Sequence, residues 1–307
     1  MAYNEPAYGD SYSPSEDYNV EIGLQEPVGG PVFVYYIMLV LLPVMFVSNL
    51  LLFIETLRAK VTKEEPWRWM VAHMAFCLIL KSIFMYDTAF HYAFQTRSAY
   101  LSFTCPLDWF SQIATHMSVV SLTLIVIERY HALRTGKENG GFDKMAVVTC
   151  LIVFWVATTL VTVVTNSVLP YFHGHDSPFV YHQNTYVCAT NYAHLYIGLV
   201  LHVWMIPTML VVFVGMLVLR NKKTTTENMK KSIVNPTLAL SAIGFLFVAV
   251  TWGLGSFRMF HVIAPLISFV AYISLPMIWL VTWSRNGDIS LKCCRRNDGE
   301  RRRLLNA

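Results

Sequence analysis

The sequence predicts an all-α membrane protein, a seven-transmembrane helix bundle with a short amphipathic helix after helix 7. Three observations predict it. Charge is scarce, the apolar residues are gathered into seven long runs, and nearly all the cations lie on one side of those runs. Of the 307 residues, 55% are hydrophobic and 14% charged, with a mean hydropathy of +0.47. A soluble domain carries about 25% charged residues. A spanning helix needs about 20 consecutive apolar residues. Runs of that length cover 32–54, 69–93, 105–127, 145–170, 192–219, 232–257 and 259–283. In hydrocarbon every backbone amide must be satisfied locally, so such runs are expected to be helices. The short alternating segments of a β-barrel are not seen.

Helix 1 (32–54) carries no Asp, Glu, Lys or Arg, and the same holds for the last four runs. Helix 2 (69–93) holds Lys81 and Asp87, and helix 3 (105–127) holds Asp108. Twenty of the 23 Lys and Arg residues fall between helices 1 and 2, 3 and 4, 5 and 6, or after helix 7. On the other side are only Arg97 and Arg258, together with an acidic segment, 1–30, that has no cation. The positive-inside rule then places the N-terminus outside the cell membrane and the C-terminus in the cytoplasm. Residues 1–31 form an extracellular acidic, Tyr-rich tail, 32–284 the membrane domain, and 285–307 a basic cytoplasmic tail. The first tail lacks the pattern of a cleaved signal peptide, so helix 1 is expected to act as the insertion signal.

The net charge of +4 follows from this topology and is no argument for nucleic-acid binding. The cluster Arg295–Arg303 fits anionic lipid headgroups, at about 1 kcal/mol per basic residue near the surface. All loops are short, which leaves no room for a catalytic domain; no enzymatic activity and no cofactor are expected. The cysteines divide by compartment. Cys77 and Cys150 fall inside helices, while Cys105 and Cys188 fall on the oxidising side, where a disulfide can persist. Cys293 and Cys294 lie in the reducing compartment just past helix 7, where S-acylation is the expected modification.

Several local features go beyond a generic bundle. Glu128-Arg129-Tyr130 ends helix 3 on the cytoplasmic side, Trp155 sits in the middle of helix 4, and Asn49 lies in helix 1. Pro207 and Pro276 interrupt helices 5 and 7. With Cys105 and Cys188, these resemble the rhodopsin-like class of G-protein-coupled receptors across nearly the whole chain, in a divergent form similar to fast-diverging and virus-encoded receptors. The resemblance implies a Cys105–Cys188 disulfide and a coupling motif at Glu128, Arg129 and Tyr130. An Arg at a helix end pairs with the adjacent carboxylate while the bundle is closed, and its planar guanidinium is free to dock a partner when the bundle opens. The plainer alternative is a juxtamembrane Arg obeying the positive-inside rule.

The departures from that family are specific. Leu78 stands where helix 2 usually has an acid, so the family's sodium site is expected to be absent. Thr251-Trp252-Gly253-Leu254 keeps the Trp of helix 6 and loses the Pro. Leu275-Pro276-Met277-Ile278-Trp279 keeps only the Pro of Asn-Pro-x-x-Tyr, and Gly215 replaces a helix 5 tyrosine. Residues 259–283 contain no Lys for a retinal Schiff base, and Ser111-Gln112-Ile113 offers no acid for an amine ligand.

Charged groups inside a membrane helix are functional candidates. Lys81, Asp87 and Asp108, with Gln112 and Trp252, form a candidate ligand pocket. Lys81 reaching either acid gives two readings: a structural ion pair between helices 2 and 3, or a pocket floor selecting a charged or peptide ligand. Tyr3, Tyr8, Tyr12 and Tyr18 among acids resemble the tails of peptide and chemokine receptors, although the tail lacks their cysteine. His173, His175, His182 and His194 are read as ordinary loop histidines ahead of a zinc or pH site. Glu300 with Leu304 and Leu305 matches an acidic-dileucine sorting signal for a clathrin adaptor. Function is therefore expected to be that of a cell-surface receptor coupling to a heterotrimeric G protein, with a peptide or chemokine-like ligand or with constitutive activity. The alternative is a non-coupling scavenger or modulator of other receptors; a transporter stands further off, because a polar pathway is offered only by Lys81, Asp87 and Asp108.

Overall fold

A computed structural model describes residues 32–58, 66–94, 101–135, 141–172, 179–182, 185–188, 204–222, 229–249 and 263–286. Seven helices account for most of it: α1 (Val32–Arg58), α2 (Pro66–Phe94), α3 (Leu101–Thr135), α4 (Lys144–Phe172), α5 (Met205–Asn221), α6 (Asn235–Ala249) and α7 (Ile263–Asn286). The first four, as described, are long and apolar enough to cross a membrane, and the described parts of the last three are shorter apolar helices. All seven expected spans are found as helices. The N-terminal part of the fifth span, the C-terminal part of the sixth and the first residues of the seventh lie outside the described residues, as does the expected amphipathic helix after helix 7.

The proline positions show how these helices tolerate a missing N–H. A π-helical turn, Lys230–Val234, leads into α6, and the Asn235 N–H bonds back five residues to the Lys230 carbonyl. Pro236 follows directly. Its ring would clash with the carbonyl four residues back in a regular α-helix, and widening the preceding turn relieves that clash. Pro43 and Pro106 are also carried inside α1 and α3. Pro207 falls in the first turn of the described α5, where its missing donor costs least.

α2 packs along α1 and α3, while α7 closes back on α1 and α6. Asn49 makes one of those ties: fully buried, it donates to the Met45 carbonyl at 2.8 Å and across to the Tyr272 carbonyl of α7 at 3.5 Å. Buried hydroxyls are mostly satisfied within their own helix. Thr56, Ser121, Thr123 and Thr237 each donate to the carbonyl four residues before them, the usual way a hydroxyl is kept in an apolar interior. α3 is the central helix and is largely buried, whereas most of α4 is exposed. The exposed face of α4 carries Ile152, Val153, Val156 and Leu160, a surface that suits hydrocarbon.

One element was not anticipated. Between α4 and α5, β1 (Phe179–His182) and β2 (Thr185–Cys188) form an antiparallel hairpin, with Phe179 opposite Cys188 and His182 opposite Thr185. β2 lies beside α3. The β-branched and aromatic content of these eight residues, split by a two-residue connection, is the sequence signal for it.

Candidate functional site

Burial forces a solution on Glu128 and Arg129 in the C-terminal part of α3. Both are almost wholly inaccessible, and neither charge can lie there without a partner. The Arg129 guanidinium donates through Nε to Glu128 Oε2 at 2.6 Å and through Nη2 to Glu128 Oε1 at 2.9 Å. This two-pronged geometry suits a planar donor and a carboxylate. The Gly141 N–H, arriving from the α3–α4 connection, donates to Glu128 Oε1 at 2.8 Å. A Cβ on Gly141 would run into the His131 ring, so a larger residue there would require His131 to move. On its other side the guanidinium lies over the Trp67 ring of α2, 4.3 Å from the centroid. Trp67 in turn packs on Trp279 of α7, with centroids 5.3 Å apart.

Tyr130 takes a different course. Its ring lies against Gly215 of α5, where a Cβ would stand 2.6 Å from Tyr130 Cε2. Gly215 is thus the space that Tyr130 fills, which gives a packing reason for glycine where a tyrosine was expected.

Further along the bundle α2 meets α3 and α4 around His73. The Trp155 Nε1–H donates to His73 Nε2 at 2.7 Å. That leaves the proton on Nδ1, which lies 2.7 Å from the Ser121 hydroxyl, and Ser121 donates onward to the Met117 carbonyl at 2.8 Å. Trp155 is thereby tied to two other helices.

Closer to the expected outer side, Lys81 is buried, with Nζ donating to Thr115 Oγ1 at 2.8 Å and to the Tyr272 hydroxyl at 3.4 Å. The same ammonium lies 4.5 Å from the Tyr272 ring centroid. No ion pair joins Lys81 to Asp87 or Asp108 among the described residues, although Asp108 acts on it electrostatically. The tie between helices 2 and 3 therefore runs through a hydroxyl, in place of the carboxylate that the ion-pair reading required. Asp108 instead accepts from Gln112 Nε2 at 3.0 Å, and Gln112 Oε1 accepts from Asn166 Nδ2 of α4 at 3.3 Å. Thr158 and Thr162 follow Asn166 down α4 at four-residue intervals, both fully buried. Their hydroxyls and Asn166 Oδ1 have no hydrogen-bond partner among the described residues.

Of the residues singled out in the sequence, Glu128 and Arg129 form the buried pair, Tyr130 packs on Gly215, Trp155 joins the His73 cluster, and Lys81, Asp108 and Gln112 sit in the last of these regions. Asp87 is half-buried on α2. Cys105 and Cys188 have described backbones, in α3 and in β2, but their side chains lie outside the described residues. Trp252, Cys293, Cys294, Glu300, Leu304 and Leu305 lie outside them altogether. Trp67, Trp279, Thr115, Tyr272 and His73 were missed as site residues. Only Trp279, three residues past Pro276, carried a sequence cue.

No family model and no curated protein matches this sequence. Among solved structures, the chain is similar to the crystal structure of squid rhodopsin, with a TM-score of 0.56 at 14% sequence identity over 88% of this chain and 90% of that one. The fold is thus a rhodopsin-like seven-helix bundle, that of a multi-pass membrane protein.

Proposed function

We propose that this protein is a cell-surface receptor that couples to heterotrimeric G proteins through Arg129 and the basic cytoplasmic segments, with its N-terminus outside. The observation that carries this reading is the buried Glu128–Arg129 pair at the inner end of α3, held by the Gly141 N–H in a rhodopsin-like bundle. A charge pair of this kind is a poor stabilising device, because desolvation offsets much of its attraction. A guanidinium that is released when the helices part gives it a use. The Lys81–Asp108–Gln112 region, with Asp87 and Trp252, is the ligand side in this reading, and a peptide or chemokine-like ligand is its occupant unless the receptor is constitutively active. A Cys105–Cys188 bridge is supported by the position of β2 beside α3. Acylation of Cys293 and Cys294, contact of the basic tail with anionic lipid, and adaptor capture by Glu300, Leu304 and Leu305 complete the proposal.

The test is nucleotide exchange on purified heterotrimeric G proteins by the full chain in lipid nanodiscs. Wild type is expected to accelerate exchange and Arg129→Ala to lose that effect at equal folded amount. Equal exchange by both would reject the role of Arg129.

The packing of Tyr130 on Gly215, and a tryptophan at position 279 in place of tyrosine, favour a second reading: a receptor-shaped protein that does not couple and acts as a scavenger or as a modulator of other receptors. Absence of exchange with every G-protein class, with ligand uptake or receptor pairing retained, would select it.

A further inference from the structure

We propose that Trp67 and Trp279 are positioning residues that hold Arg129 in the closed bundle, so that α7 controls its release. This inference rests on the coupling reading above. The Glu128 carboxylate engages one edge of the guanidinium through Nε and Nη2, which leaves the flat face of the cation to be satisfied by something else. The Trp67 ring takes it at 4.3 Å from the centroid, well inside the range of about 6 Å over which a cation is drawn to an indole face. The interaction gains strength because the cation and the ring are both buried.

Trp67 does not stand alone. Trp279 of α7 packs on it with a 31° tilt and is itself 2% exposed. The Arg68 guanidinium lies 5.3 Å from the same Trp67 ring. Three helices thus meet on one indole: α3 brings the cation, α2 the ring, and α7 the ring that backs it. A movement of α7 that withdrew Trp279 would loosen Trp67 and with it the hold on Arg129, with no change in Glu128. The alternative is plain core packing, since both tryptophans belong to the apolar core. The two readings differ in sign. Loss of a packing residue lowers the activity of the folded protein or leaves it alone, whereas loss of a restraint raises it.

The experiment has two arms, both on the full chain in nanodiscs. In the first, basal nucleotide exchange on a heterotrimeric G protein is measured per folded receptor for Trp67→Leu, Trp279→Leu and their Phe counterparts. Both Leu variants are expected to raise basal exchange, on the order of two- to thirty-fold for the factor that a cation–π contact carries; the Phe variants, which keep a ring, are expected to rise less. Unchanged or lower exchange in both Leu variants, with wild type active, overturns the proposal. The second arm does not depend on coupling. The protein is labelled with 5-fluorotryptophan, the Trp67 and Trp279 resonances are assigned by their loss in the Phe variants, and Arg129→Met is compared with wild type. The Trp67 resonance is expected to move clearly and that of Trp279 to move less; a Trp67 resonance that stays in place overturns the proposal. If wild type and all variants are inactive, the coupling reading falls, and the fluorine signal alone decides whether the rings hold Arg129.

Discussion

The two ends of the helix bundle treat charge in opposite ways. At the inner end Glu128 and Arg129 compensate each other in a two-pronged pair, a backbone N–H caps the carboxylate, and an indole covers the cation. In the outer half the Lys81 ammonium meets a hydroxyl, a phenol and a ring but no carboxylate at pairing distance, and Asp108 is engaged by a neutral amide. Nearby, three buried polar atoms on α4 have no hydrogen-bond partner among the described residues. A closed, self-sufficient pair has to be opened before it can act on anything. An undersatisfied polar region is suited to accept a group from outside. The contrast matches the division of labour in the proposed receptor, with recognition in one half and coupling in the other.

Breaking the inner pair should have the largest effect. Glu128→Ala strands the Arg129 cation in a buried setting, at an expected cost of about 3–5 kcal/mol. Thermal unfolding of the purified protein in detergent measures it, and an unchanged transition would mean that the pair is not closed in the membrane. In the middle of the bundle, Trp155→Phe keeps the ring and removes the donor to His73 Nε2. The expected loss is about 1 kcal/mol, at the low end for an orphaned acceptor because His73 is only partly buried. Combining it with His73→Leu, which removes the acceptor as well, should recover part of that loss.

A change of similar size is expected from filling the space beside Tyr130. Gly215→Val should cost about 1–3 kcal/mol by overpacking, and adding Tyr130→Ala should restore most of it, since the clash lies with that ring. Additive losses in the double variant would place the cost elsewhere. The smallest effect is expected at Lys81. Lys81→Met removes a buried cation that lacks a paired carboxylate and retains a flexible apolar chain, so the unfolding transition should stay in place or rise. A loss as large as that of Glu128→Ala would erase the contrast between the two halves.

The legible part of the site was the part set by neighbours along the chain. Glu128 and Arg129 are adjacent near the end of a span, so the sequence offered their pairing beside the plainer reading of a juxtamembrane Arg, and the burial of both selects the pair. For Lys81 the sequence indicated a buried charge that needs partners, and its direct hydrogen-bond partners are others than the two acids it suggested. Asp87 and Asp108 were the charged groups within reach, whereas Thr115 and Tyr272 are partners only because α3 and α7 are rotated toward Lys81. Gly215 read as a loss relative to the family pattern, and the space it leaves is defined by a side chain 85 positions earlier in the sequence.

By itself the sequence determined the number of spans and their approximate limits, and it set an expectation for the compartment of each loop. These depend on sums taken over a single stretch of chain, the apolar length needed to cross hydrocarbon and the cations left between such lengths. Tertiary structure alone decided which faces meet. Helices that are apolar nearly all round carry no amphipathic phase to fix their rotation. The convergence of Trp67, Arg129 and Trp279 on one another, of Trp155 and Ser121 on His73, and of Tyr130 on Gly215 therefore has no local signature. Each arises from how helices distant in sequence cross, through the close fit of rings, small residues and a few buried hydrogen bonds, which is what distinguishes one helix rotation from another where burial of apolar surface does not.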